Sequence, residues 1–237
     1  MGLLDDKVGV VTGAGQGIGR AIAMSYAREG AKVVVADFNE ASGKETVELI
    51  RAAGGEATFA FGDVSKEDSV KAMIDTVIET YGRLDIACNS AALSRGSGPI
   101  HEYTREGFDQ TLEMCLTNTW LCMKYEIPAM LASGGGAIVN ISSNASLKGQ
   151  AFNTAYAAAK SGVNLLTKSS AAEYGAQGIR INAVSPGVIR TPGVEQYFEE
   201  QPQMAEGLKK AAVMNRLGEP EEIAEAATFL SSDRASF

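Results

Sequence analysis

Apolar residues along this chain gather into short β-branched runs, separated by longer stretches in which apolar positions recur every three or four residues. The runs at residues 8–12, 32–36, 58–61, 84–88, 137–141 and 180–184 predict six strands. Helical spacing between and after them predicts helices over 18–29, 40–53, 66–81, 106–131, 154–174 and 220–230. The last opens Gly218-Glu219-Pro220-Glu221-Glu222, which places proline and acids in a first turn, where an N–H is not needed and negative charge meets the positive helix end. Strands that alternate with helices imply parallel crossover units. The strands are apolar nearly throughout, not at every second position, so both faces of the sheet need helical cover. The expected fold is α/β: a doubly wound parallel sheet flanked by helices on both faces. No linker, repeat or low-complexity run divides residues 1–237, so a single domain is expected.

Composition narrows the partners. Apolar residues make up 45% and charged residues 21%, the balance of a water-soluble globular chain. The net charge of −8 would repel a polyanion, so nucleic acid is not expected as a ligand. No apolar run approaches the roughly 18 residues that span a bilayer, and the first residues carry no cationic-then-apolar signal, so a cytoplasmic protein without a membrane partner is expected. Cys88, Cys115 and Cys122 are odd in number and lack Cys-x-x-Cys spacing, as expected of reduced thiols. Cys115 and Cys122 are expected to pack in the core. With His101 the only histidine, no metal site is expected.

In such a sheet, ligands bind beyond the carboxyl ends of the strands, and the candidate chemistry falls there. Thr12-Gly13-Ala14-Gly15-Gln16-Gly17-Ile18-Gly19 follows the first strand and opens the first helix. Glycines let the backbone approach a pyrophosphate, and the free N–H groups and positive end of the helix attract the anion. The spacing is T-G-x-x-x-G-x-G, since Ile18 stands where a third glycine of G-x-G-x-x-G would fall. Gly13, Gln16, Gly17, Ile18 and Gly19 are the candidate contacts. Asp37 closes the second strand, about twenty residues further on, where a carboxylate can accept from both adenosine ribose hydroxyls. A 2′-phosphate would be repelled there, and neither Gln16 nor the next residue, Phe38, supplies a cation. The cofactor expected is NAD, with NADP disfavoured by Asp37.

Tyr156 and Lys160 stand four residues apart in an alanine-rich segment, so a phenol and an ammonium emerge on one helical face. A free tyrosine titrates at about 10, and a fixed positive charge nearby favours its phenolate, so the pair reads as a proton-transfer device.

With the glycine loop, Asp37 and this pair in one chain, the sequence closely resembles the short-chain dehydrogenase/reductase family in its single-domain, Rossmann-like form, over nearly its whole length. The resemblance implies that Asp63 and Val64 contact the adenine ring. It also puts Asn89-Ser90-Ala91-Ala92 in the place of the family's Asn-Asn-Ala-Gly, making Asn89 and Ala91 cofactor-side residues, although Ser90 and Ala92 depart from the pattern. Asn118, Ser143, Tyr156 and Lys160 would form the catalytic tetrad. Ser143 lies thirteen residues before Tyr156, as that family's spacing favours, with adjacent Ser142 as the alternative. Pro186, Gly187, Ile189 and Thr191 would cradle the nicotinamide, Ile189 through its backbone.

The same resemblance implies interconversion of a secondary alcohol and a ketone by hydride transfer with NAD. Ser143 would orient the reacting oxygen, Tyr156 would take or give its proton, Lys160 would lower the tyrosine pKa and hold the nicotinamide ribose, and Asn118 would order a water relay. A substrate lid is expected at about 190–214, with Tyr197, Phe198, Met204 and Leu208 on one wall and Leu93, Ala145, Leu147, Gln150 and Phe152 on the other, suiting an uncharged, cyclic or aromatic small molecule. The alternatives are a 3-oxoacyl-carrier reductase of the same family, a non-redox lyase or epimerase, and a non-catalytic NAD-binding protein. The chain stops where related sequences continue into a seventh strand, so a C-terminal strand is expected to be missing, which weakens an expected homo-oligomer, tetramer or dimer.

Overall fold

A computed structural model describes residues 2–210 and 212–237, without the side chains of residues 204, 205 and 209. Six strands form one sheet: β1 (Val8–Thr12), β2 (Lys32–Asp37), β3 (Glu56–Phe61), β4 (Ile86–Asn89), β5 (Gly136–Ile141) and β6 (Ile179–Val184). Their order is β3-β2-β1-β4-β5-β6 and every pairing is parallel. The winding direction reverses between β1 and β4, and there the carboxyl ends open the crevice in which ligands of doubly wound sheets bind.

The continuous apolar strands are explained by what covers them. Val11, Val33, Val35, Cys88 and Val139 face one core, with Ile22, Tyr26, Ile50, Ala224 and Ala227. These come from α1 (Gly17–Arg28), α2 (Glu40–Ala52) and α9 (Pro220–Ser231). Val10, Val34, Ala87, Ile138 and Ile181 face the other, against Met73, Val77, Leu121, Met123 and Leu166. That layer is α3 (Glu67–Tyr81), α5 (Asn118–Ala132) and α6 (Thr154–Tyr174). Alternate side chains thus enter two cores, and the central strand positions are mostly apolar because both faces are covered. The expected single-domain doubly wound sheet is the fold observed.

Two segments differ from expectation. The helix expected over 106–131 is three pieces: α4 (Arg105–Leu112), a π-helical turn (Glu113–Thr117) and α5. In the turn, the Asn118 N–H reaches back to Glu113 O instead of Met114 O, so one extra residue is accommodated. The segment after β6, expected to be a lid of unspecified structure, contains α7 (Pro192–Glu200) and α8 (Pro202–Lys210). Its base is tied by a parallel bridge between Ile189 and Gly218, with Arg190 N donating to Gly218 O at 2.8 Å and Gly218 N donating to Val188 O at 3.0 Å. α9 begins at the expected proline, closed by a capping box between Glu219 and Glu222.

Candidate active site

The glycine loop is pinned from several sides. Ala14 N donates to Ala36 O at 3.1 Å, Thr46 Oγ1 donates to Ala14 O at 2.9 Å, and the Arg20 guanidinium donates to Gly15 O at 2.9 and 2.5 Å. Gly13 and Gly17 have φ of +64° and +54°, which side chains disfavour. A Cβ on Gly19 would run into the Gly13 carbonyl. Gln16 precedes α1 without a side-chain cap, so the first-turn N–H groups of Gly17, Ile18 and Gly19 remain directed out of the helix, a ready anion site. Thr191 stands opposite, its methyl 3.2 Å from where a Gly17 Cβ would be. Its hydroxyl accepts from Val194 N at 3.4 Å and caps α7.

Asp37 is buried at the end of β2, where Oδ2 accepts from Gly15 N and Oδ1 from Asn39 N, both at 2.8 Å. Each oxygen keeps acceptor capacity beyond these bonds. Phe38 is exposed beside it. Arg20, a cation that sequence reasoning missed, is bound to Gly15 O and to Glu45. Beyond β3, Asp63 Oδ1 accepts from Ser65 N and Oγ at 3.0 and 2.7 Å, while Val64 is buried.

At β6, Pro186 O accepts from Asn144 N at 2.8 Å, which holds the Pro186-Gly187 turn against the exit of β5. In the bridge to Gly218 the bonded groups belong to Val188 and Arg190. The N–H and C=O of Ile189 therefore point away from Gly218, while its side chain is buried. Backbone donors around a glycine cradle, a carboxylate at the ribose position and an outward-facing Ile189 peptide together fit a dinucleotide.

The chemistry-bearing side chains meet between β5 and α6. Ser142 and Ser143 part ways, as adjacent extended residues do. Ser142 Oγ donates to Lys160 O at 3.0 Å inside the core, whereas the Ser143 hydroxyl lies beside the Tyr156 phenol. Lys160 is buried, donates from Nζ to Ile141 O at 2.7 Å, and sits 5.9 Å from the Tyr156 ring centre.

Burial works against the expected tuning of the phenol. Burial pushes the Tyr156 pKa up, hydrogen bonding by Ser143 pulls it down, and the Cys115 thiol raises it. Lys160 is itself pushed down by burial, because an ammonium loses hydration in the same dry site.

The chain matches, over residues 13–237, a family model described as "Enoyl-(Acyl carrier protein) reductase". It is 40% identical to a cyclohexanol dehydrogenase of Acinetobacter sp., covering 98% of this chain and 90% of that one. It is likewise 40% identical to a 2,5-dichloro-2,5-cyclohexadiene-1,4-diol dehydrogenase of Sphingobium indicum, covering 99% and 93%. The crystal structure of levodione reductase superposes with a TM-score of 0.93 at 36% identity, covering 99% of this chain and 93% of that one. This chain belongs to the short-chain dehydrogenase/reductase family.

In this short-chain dehydrogenase/reductase, a member of an oxidoreductase family, the side chains of Asn118 and Asn89 both make bracing contacts. The Asn118 amide donates to Ala91 O at 2.8 Å and Met114 O at 2.9 Å, and its Oδ1 accepts from Thr119 N at 2.7 Å. No described hydrogen bond takes it to Ser143, Tyr156 or Lys160. Asn89 turns into the core, donating to Glu126 Oε2 at 3.1 Å and Asn140 Oδ1 at 3.0 Å, so its side chain is a brace and any cofactor contact falls to its backbone. Ala91 approaches Gly13, and its N–H, like that of Ser90, reaches the Thr12 hydroxyl. Sequence reasoning gave Thr12 no such role.

The candidate wall residues separate as well. Ala145 is buried, while Leu93, Leu147, Gln150, Phe152 and Tyr197 are exposed, with Phe198 and Leu208 half-buried. The Met204 side chain lies outside the described residues. Among the described residues no helix is long and apolar enough to cross a membrane, and no acid, histidine and cysteine group is arranged to hold a metal.

Proposed function

We propose that this chain is an NAD-dependent oxidoreductase that interconverts a secondary alcohol and a ketone, with Tyr156 as the proton donor or acceptor. The observation that carries the reading is the half-buried Tyr156 phenol set between the buried Ser143 hydroxyl and Lys160, at the carboxyl end of the sheet and on the side of the glycine loop. Gly13, Gln16, Gly17, Ile18 and Gly19 would hold a pyrophosphate, and Asp63 and Val64 the adenine. Lys160 and Tyr156 would take the nicotinamide ribose, and Pro186, Gly187, Ile189 and Thr191 the carboxamide end. When bound, NAD supplies the hydride acceptor for oxidation and the donor for reduction.

The chain's own residues handle the oxygen and its proton. Ser143 donates to the reacting oxygen and orients it. As the carbonyl forms, Tyr156 takes the hydroxyl proton, and in reduction it returns one. The Lys160 ammonium stabilises the resulting phenolate. Burial raises the phenol's pKa, so alcohol oxidation, which needs the phenolate, should climb above neutral pH, whereas ketone reduction, which needs the phenol, should hold there and fall only as the pH nears the raised pKa.

Asp37 favours NAD, since a 2′-phosphate would meet a carboxylate already fixed by two backbone donors, and Arg20 is engaged with Gly15 and Glu45. The segment at about 190–214, α7 and α8 included, reads as the substrate lid. No residue of α7 is buried, and the Tyr197 and Phe198 rings lie 6.4 Å apart, tilted by 51°, which leaves apolar surface for an uncharged ring. The names of the cyclohexanol and cyclohexadiene-diol relatives favour a cyclic alcohol. A net charge of −8 disfavours an acyl-carrier partner. The reading places the protein in the cytoplasm as a homo-oligomer, tetramer or dimer, which a light-scattering mass tests. Cyclic secondary alcohols screened with NAD and NADP in parallel, at the reduced-nicotinamide absorbance, test the activity; turnover with NADP alone, or none with any alcohol or ketone, would sink it.

A further inference from the structure

Asn118 is the residue that the family pattern suggested for the fourth catalytic place, yet its amide is spent elsewhere, and the reason lies in the π-helical turn before it. Because the Asn118 N–H bonds to Glu113 O, Met114 O loses the partner an α-helix would give it. The Asn118 side chain fills that gap and reaches Ala91 O with the same amide, locking the turn to the loop after β4. The turn is pressed on α6. A Cβ on Gly162, two residues beyond Lys160, would lie 2.8 Å from Leu116 Cδ2. Next to Leu116, Cys115 is fully buried and its thiol donates to Leu93 O at 3.5 Å.

We propose that Cys115, held toward α6 by the π-turn, is the residue of the α4–α5 segment that faces Tyr156 and Lys160, and that Asn118 is a positioning residue whose amide locks the turn. This rests on the alcohol–ketone reading above. Lys160 and Tyr156 are the titratable groups that face the thiol from α6, and the loop after β4 presents the Leu93 carbonyl. Burial pushes the Cys115 thiol up, Lys160 and the Leu93 carbonyl interaction pulling the other way. A neutral thiol at this place leaves the Lys160 charge uncompensated, so it remains available to the phenolate and to the nicotinamide ribose. A carboxylate in its place would pair with Lys160 and disfavour the phenolate.

The test compares Cys115→Asp with Cys115→Asn, equal in shape and different in charge, through the pH dependence of kcat for alcohol oxidation. The parent's turnover and its loss in Tyr156→Phe are established first. If Tyr156→Phe stays active, the functional reading falls. With that reading intact, the expected result is an alkaline shift of about one pH unit or more in Cys115→Asp against Cys115→Asn. Coincident profiles would overturn the proposal. Asn118→Ala should lower kcat and Tm while leaving the profile where the parent has it; a profile moved in Asn118→Ala would give Asn118 the role assigned to Cys115. Should Cys115→Asp fail to fold, the thiolate absorbance of the parent and of Lys160→Met decides. Cys88 and Cys122 are pushed well up by burial, so the lowest thiol titration belongs to Cys115. It moves to higher pH without the ammonium if the two groups face each other, and stays if they do not.

Discussion

Two groups of ionisable side chains in this molecule are pushed toward their neutral forms by burial, and they sit in different settings. On α6, beside the end of β5, Tyr156 and Lys160 are both pushed toward their neutral forms by burial, yet Tyr156 is only half-buried. Lower in the second core, Glu126 of α5 is fully buried, and burial raises its pKa to about 7 against the pull of Asn89. Cys122 nearby is pushed up as well. In this inner pair, Glu126 Oε1 and Asn89 Oδ1 have no partner while Asn89 Nδ2 bonds to Glu126 Oε2. A neutral carboxyl supplies the O–H donor that two facing acceptors lack. A displaced pKa therefore does not by itself mark a reactive centre. What separates the outer group is its place at the mouth of the sheet, with hydrogen-bonding groups left over for a ligand.

The sharpest way to break this contrast is at Ser143. Ser143→Ala should lower kcat by about 10²–10³, the cost of losing one donor to a developing charge, with an unchanged thermal midpoint; steady-state kinetics on the preferred alcohol reads it. The inner group should instead register in stability. Glu126 has a folded pKa above its ordinary value near 4.5, so its contribution is fully present below about pH 4.5 and is lost as the pH rises through about 7. Over that window the loss amounts to roughly 3 kcal/mol. In Glu126→Gln, denaturant unfolding at a series of pH values should give a flatter profile, while kcat changes little. A parallel profile in parent and variant would contradict a neutral Glu126.

Smaller effects sharpen the picture. Asp37→Asn should weaken use of NAD about 10–100-fold in kcat/KM, the range for a hydrogen bond to a charged group, and should narrow the preference over NADP. An unaltered NAD/NADP ratio would remove Asp37 from the ribose position. Smallest is Ser142→Ala, which loses one buried bond to Lys160 O. It should cost about 1 kcal/mol of stability and leave kcat near the parent's, the reverse of Ser143→Ala.

The strands, their burial on both faces and the crossover helices were legible because each follows from local periodicity. The expected strands at 137–141 and 180–184 fall within β5 and β6, each beginning one residue later than observed. The glycine loop and Tyr156–Lys160 were legible because their chemistry is written in adjacent residues. The π-turn was not. An extra residue in a helix leaves an apolar pattern such as that of 106–131 nearly intact, and no glycine or proline marks Glu113–Thr117. Without that turn, Asn118 and Cys115 could not be told apart by direction, and Cys115 was read as a core thiol. Ser142 and Ser143 separated only when the course of the chain beyond β5 was seen. The sign of the shift on Tyr156 was also out of reach, since it depends on burial and not on spacing from Lys160.

The account stands most directly on Tyr156. Parent and Tyr156→Phe, each mixed with NAD and a cyclic secondary alcohol from about pH 6 to about pH 10, a range that rises to the phenol's ordinary value near 10, are followed at the reduced-nicotinamide absorbance. The prediction is a parent rate that rises toward alkaline pH and a variant rate lower by about 10²–10⁴ with the same unfolding midpoint. Equal rates with superimposable pH profiles would contradict it.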